Sequence, residues 1–170
     1  RAYHNLEETF YKLVERLDQK AITLQVTHPT SKQKVPIVVD GSGMIALLYR
    51  TLYSTSELPN LPKLISDTSK GNYSELARLE AKRLTGNSNF SHGMYFSVQC
   101  NEEIAFATPE SVAETTSAYP HLQRYFEGIF ENTPLIFEFC QQWGVREVDP
   151  RENEPVVSEI PTLILAGAFD

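Results

Sequence analysis

Asp170 ends an apolar run, Glu159-Ile160-Pro161-Thr162-Leu163-Ile164-Leu165-Ala166-Gly167-Ala168-Phe169-Asp170. Proline at its start, an unbroken Leu-Ile-Leu centre and a glycine near its exit read as a strand buried on both faces, as in a parallel sheet. In open α/β sheets the working groups gather just beyond the carboxyl ends of the strands, so an acid there is a candidate catalytic residue. Glu102 and Glu103 form a second acidic group, directly after Cys100-Asn101. Cys100 and Cys140 are the two cysteines of the chain. Two thiols cannot make a four-ligand zinc site, and His4, His28, His92 and His121 show no paired spacing, so neither a metal nor a cofactor is expected. The cysteines are either two buried thiols or one disulfide, which would close a loop of about 40 residues and contribute on the order of 4 kcal/mol through loop entropy.

Ser42 lies between glycines in Gly41-Ser42-Gly43, where the chain passes from a β-rich run into a helix. A nucleophile elbow needs glycines two residues before and two after its serine, and those positions hold Asp40 and Met44. The segment therefore reads as a turn capped by Asp40 or Ser42.

The elements that must position these residues follow from periodicity and punctuation. Leu6, Phe10, Leu13, Val14 and Leu17 recur at helical spacing, with Asn5 as an N-cap and Glu7 and Glu8 in the first turn. Runs 22–26 and 35–39 are β-rich and flank the polar stretch 28–34, which predicts a hairpin with Pro36 at an edge or an irregular point. A helix with Ile45, Leu48, Tyr49 and Leu52 apolar follows, then a short one from Pro59 or Pro62 that Gly71 closes. Another spans 73–84. The stretch 93–100 mixes aromatic and β-branched residues and predicts extended chain. Thr108-Pro109 predicts a helix start, and 119–130 and 134–143 predict two apolar helices. Residues 145–158, charged and proline-bearing, read as a connector. Asn72-Tyr73-Ser74 and Asn89-Phe90-Ser91 match the glycan acceptor pattern, which three residues satisfy easily by chance.

A chain of 170 residues, 41% hydrophobic and 22% charged, builds one sizeable core and room for a second small one. With a net charge of −7 it offers no basic surface for nucleic acid or anionic membrane. No apolar run reaches the roughly 18 residues of a membrane helix. The chain starts at Arg1 without methionine and with no leader pattern, which fits an excised domain or a processed product.

The run 161–170 resembles the strand of α/β-hydrolases that delivers the acid of a Ser-Asp-His triad, without the Pro-x-Thr-Pro-Pro turn that usually follows. Gly93-Met94-Tyr95-Phe96-Ser97-Val98-Gln99-Cys100-Asn101-Glu102-Glu103 and Phe139-Cys140-Gln141-Gln142-Trp143 are similar to segments of the tripeptidyl-aminopeptidase-like and proline-iminopeptidase-like branch. There, such segments lie between the nucleophile half and the acid strand, in this order.

The resemblance implies a Cys100–Cys140 disulfide, and with it a periplasmic or secreted protein; unbridged thiols would fit the cytoplasm. It implies that Asp170 is the triad acid, orienting a histidine and stabilising its imidazolium. Glu102 or Glu103 would pair with the free α-amine of a peptide, because a desolvated ammonium needs a charge partner. The other reading of the pair is solvated charge beside a helix start. Tyr95, Phe96 and Trp143 line an apolar substrate pocket or belong to the core. For Asp170, the other reading is simply the last residue of the chain.

The expectation is thus a mainly α fold with a small β-hairpin, an α+β lid from an α/β-hydrolase. Residues 1–150 would form the helical lid, with the hairpin near 22–39, and 151–170 the connector and the start of a core strand. The resemblance places serine and histidine outside the chain, so the fragment alone is expected to be inactive and to need the remainder of the catalytic domain. Its substrate would be a peptide or a small acyl compound, with an esterase-type lid as a further reading. A free-standing helical module binding a peptide or protein is the alternative from another class. A lone terminal strand leaves its backbone groups unpaired, which fits a fragment or a homo-oligomer built by strand exchange.

Overall fold

The computed structural model describes residues 3–86, 90–122, 125, 133–146 and 148–167. The chain is mainly helical with one small antiparallel sheet, and it divides into two compact units, 1–88 and 89–170. The boundary at 150 drawn from the sequence lies inside the second unit.

The first unit runs α1 (Leu6–Gln19), β1 (Ile22–Thr27), β2 (Lys34–Val39), α2 (Gly41–Leu52), α3 (Leu61–Ser69) and α4 (Ser74–Arg83). Pairing of β1 with β2 sets Ile22 opposite Val39 and Val26 opposite Val35, in the expected hairpin. His28 closes its loop: Nδ1 accepts from the backbone N–H groups of Thr30 and Ser31, both at 3.2 Å. Along β1, Leu24 and Val26 are buried while Thr23, Gln25 and Thr27 are exposed, the alternation of a sheet covered on one face.

Leu13 and Leu17 of α1, Leu24 and Val26 of β1, Val39 of β2 and helical residues including Met44, Leu64 and Leu76 form one buried cluster. Side chains also tie helix ends together. Arg16 donates to the carbonyls of Ser69 at 2.7 Å and Thr68 at 3.1 Å, placing a cation at the negative end of α3. Asp18 accepts from the N–H of Gly41 at 3.1 Å, and Asp40 caps α2 by accepting from Gly43 at 2.7 Å.

Three local expectations change. Asn5 makes no side-chain cap; it adopts a left-handed conformation, φ 55°, and its carbonyl accepts from Thr9 instead. On α2, Met44, Ile45 and Leu47 are buried while Tyr49 and Leu52 are exposed, and the Gly41 N–H bonded to Asp18 anchors the first turn of α2 to α1. Residues 161–167 form no strand among the described residues, and Ile160, Leu163, Ile164 and Leu165 are all more than 70% exposed. A strand buried on both faces needs neighbours to hydrogen-bond and cover it, and none is described here. No helix among the described residues is long and apolar enough to cross a membrane.

Candidate functional site in the second unit

The second unit begins with α5 (His92–Val98), where the sequence suggested extended chain. Ser91 decides the matter locally: its hydroxyl accepts from the N–H of Met94 at 3.3 Å and caps the helix. The helix widens into a π-turn over Gln99–Glu103 and tightens into a single 3-10 turn over Ile104–Phe106. Next come α6 (Pro109–Ser117), opened by a Thr108/Ser111 capping box with Pro109 in its first turn, and α7 (Thr133–Trp143). The expected helix over 119–130 falls largely outside the described residues; within it, Pro120–Leu122 makes a 3-10 turn.

Cys100, on the π-turn, is bonded to Cys140, on α7, with an S–S distance of 2.04 Å. π-turns inside helices are rare and frequently mark functional points, and here the turn carries the buried sulfur of Cys100 in its bond to Cys140. Beside the bridge the rings of α5 and α7 interlock. Phe96 has its centroid 5.2 Å from Tyr95, 4.6 Å from Phe139 and 5.9 Å from Trp143. Phe139 and Trp143 stack at 5.2 Å, and Trp143 Nε1 donates to Ser97 Oγ at 3.0 Å. Tilted and offset contacts at these separations are the favoured aromatic arrangements.

The second unit has two open hollows. One, of about 490 Å³, is lined by Phe96, Leu135, Ile136, Glu138, Phe139 and Gln142, and is mostly apolar. The other, of about 370 Å³, has Glu102 and Glu103 on its wall with Phe106, Ser111, Thr115 and Asn153. Both fall within the size range of small-molecule sites. The second hollow offers carboxylates and hydroxyls for an ammonium or hydroxyl-bearing ligand, and the first offers aromatic and aliphatic surface for an apolar group.

The structure therefore brings Tyr95 and Trp143 into one aromatic cluster around Phe96 and sets Glu102 and Glu103 together on another wall. Tyr95 and Trp143 remain partly exposed, and neither lines either hollow. Asp170 lies outside the described residues. Ser111, Thr115 and Asn153 were not singled out from the sequence; Ser111 had a signal in the Thr108-Pro109-Glu110-Ser111 helix start, whereas Thr115 and Asn153 had none. Among the described residues, no group of three or more His, Cys, Asp or Glu side chains comes together as a metal site. Comparison with protein-family models, with curated proteins and with solved structures finds no match to this chain.

Proposed function

We propose that this chain is the lid and acid-bearing segment of a serine α/β-hydrolase resembling the tripeptidyl-aminopeptidase-like and proline-iminopeptidase-like branch, acting on peptide N-termini. The observation that carries the reading is the Cys100–Cys140 disulfide, which joins the two internal segments on which the resemblance rests. Glu102 and Glu103 lining one hollow adds to it, since a carboxylate there would hold a peptide's free amine. The exposed apolar run 160–165 fits as well, since a segment that becomes a strand only when paired into a core sheet would be left uncovered without that sheet.

On this reading the lid covers the site and selects substrate, and Asp170 orients a histidine supplied from outside residues 1–170. The serine is supplied in the same way, so the isolated chain is inactive. On this reading the enzyme works in an oxidising compartment, periplasmic or secreted, which the bridge supports. The apolar hollow at Phe96, Leu135 and Phe139 favours one competing reading, a helical module that binds a peptide in that groove.

Hydrolysis of aminoacyl and tripeptidyl anilides by the product of the complete gene tests the proposal. Free-amine substrates should be cleaved and N-acetylated ones refused, with Asp170→Asn lowering kcat on the order of 10⁴-fold. Glu102→Gln or Glu103→Gln should relax that selectivity. No hydrolysis, or full activity in Asp170→Asn, overturns it.

A further inference from the structure

Asn72-Tyr73-Ser74 lies at the turn between α3 and α4. Gly71, at φ 86°, ends α3 in a left-handed residue; its N–H donates to Thr68 O at 3.1 Å and that of Asn72 to Asp67 O at 2.9 Å. This pair of bonds is a Schellman motif, and it pins the backbone of the acceptor residue itself. The Asn72 and Ser74 side chains are both exposed. Asn72 Oδ1 accepts from the Ser74 N–H at 3.2 Å, forming an Asx turn that commits the amide oxygen to the backbone and leaves the amide nitrogen as its reactive end. Around the turn there is space: a Cβ added at Gly71 would meet nothing within 4 Å. The Cys100–Cys140 bridge independently points to a chain that passes through an oxidising lumen, where asparagine-linked glycans are added.

We propose that Asn72 carries an N-linked glycan. The co-reactant is a lipid-diphosphate-linked oligosaccharide with its transferase. Asn72 Nδ2 forms a new bond to the anomeric carbon as the bond from that carbon to the diphosphate oxygen breaks. The lipid diphosphate leaves with the electron pair of the broken bond, and the amide releases one proton to solvent. Ser74 supplies the hydroxyl that defines the acceptor. The folded turn then carries the sugar into solvent without displacing any packed group. Of the second match, Asn89-Phe90-Ser91, the acceptor asparagine lies outside the described residues and the serine hydroxyl is occupied in capping α5. The inference goes beyond the hydrolase reading and shares with it only the compartment.

The test is to secrete the full chain from a eukaryotic host behind a cleavable leader, then digest it with a peptide-N-glycosidase in heavy-oxygen water and map the peptides. Conversion of position 72 to labelled aspartate, lost in both Asn72→Gln and Ser74→Ala, is the expected result. Ser74→Ala keeps the asparagine and the Asx turn, so its loss of label separates modification from a folding defect. An unlabelled Asn72 peptide in the secreted wild-type chain, or label confined to Asn89, overturns the proposal. Neither result touches the anilide assay.

Discussion

The two units hold their shapes by different means. In the first, side chains from four helices and both strands exclude water together, with Leu13, Leu17, Val39, Met44, Leu64 and Leu76 each no more than 1% exposed. In the second, Cys100 is the one buried side chain among the described residues, and order rests on its bond to Cys140 and on the rings stacked beside it. A core of the first kind spreads its stability over many contacts, so any one loss is partial. A clamp of the second kind concentrates it, and a single event can release everything downstream.

Breaking the bridge should give the largest effect. Cys100→Ser with Cys140→Ser, or reduction, should remove about 4 kcal/mol from the second unit through loop entropy alone. Amide hydrogen exchange should then show protection lost over 92–100 and kept over 13–17. Simultaneous loss in both stretches would mean the units do not fail separately. The converse break is Leu76→Ala, which should cost about 3 kcal/mol by leaving a cavity in the first unit. Its exchange pattern should be the reverse, with the aromatic cluster unaffected.

A smaller effect tests how tightly the helices of the first unit meet. A Cβ at Gly41 would lie 2.5 Å from Asp18 Oδ1 and 2.7 Å from the Val14 carbonyl. Backbone cannot retreat as a flexible side chain can, so Gly41→Ala should cost about 2 kcal/mol, measured by urea unfolding. Gly93→Ala, where nothing stands within 4 Å, is the control and should be neutral or slightly stabilising.

The smallest effect is electrostatic. Glu57 accepts from Arg78 at 2.6 Å and from Lys82 at 3.4 Å, and the Arg78 hydrogen bond above all holds its carboxyl below the usual glutamate range. A depressed carboxyl stabilises the fold above its unfolded pKa of about 4.3 and loses that contribution as pH falls through the lower folded value. The melting temperature of the first unit should therefore decline with acid below that point, and less steeply in Glu57→Gln. Equal slopes in the two proteins would show that the pair adds nothing.

What could be read from the sequence was whatever is decided over short distances. The hairpin was legible because two β-branched runs flank a polar stretch, and α6 because Thr108-Pro109 is a cap followed by a fixed φ. Helix α5 was not: its Tyr, Phe and Val suit a strand as well, and the deciding group was the hydroxyl of Ser91. Tyr49 and Leu52 were read only as part of the apolar set of α2, because a helical stripe does not say which partner it meets. The same limit applied to the site. Glu102 and Glu103 were identifiable by charge, but Thr115 and Asn153 join them only by folding.

The run from Thr162 to Gly167 has one more consequence. It carries no charge and no proline, is rich in β-branched and leucine residues, and stands open to solvent. Six residues of this kind are enough to stack into cross-β ladders with copies of themselves. Glu159 and Pro161 on one side and Asp170 on the other act as gatekeepers, by charge repulsion and by a missing donor. Handled alone, the chain should form fibrils with a lag that shortens as concentration rises, and a short peptide copying 162–167 should seed them.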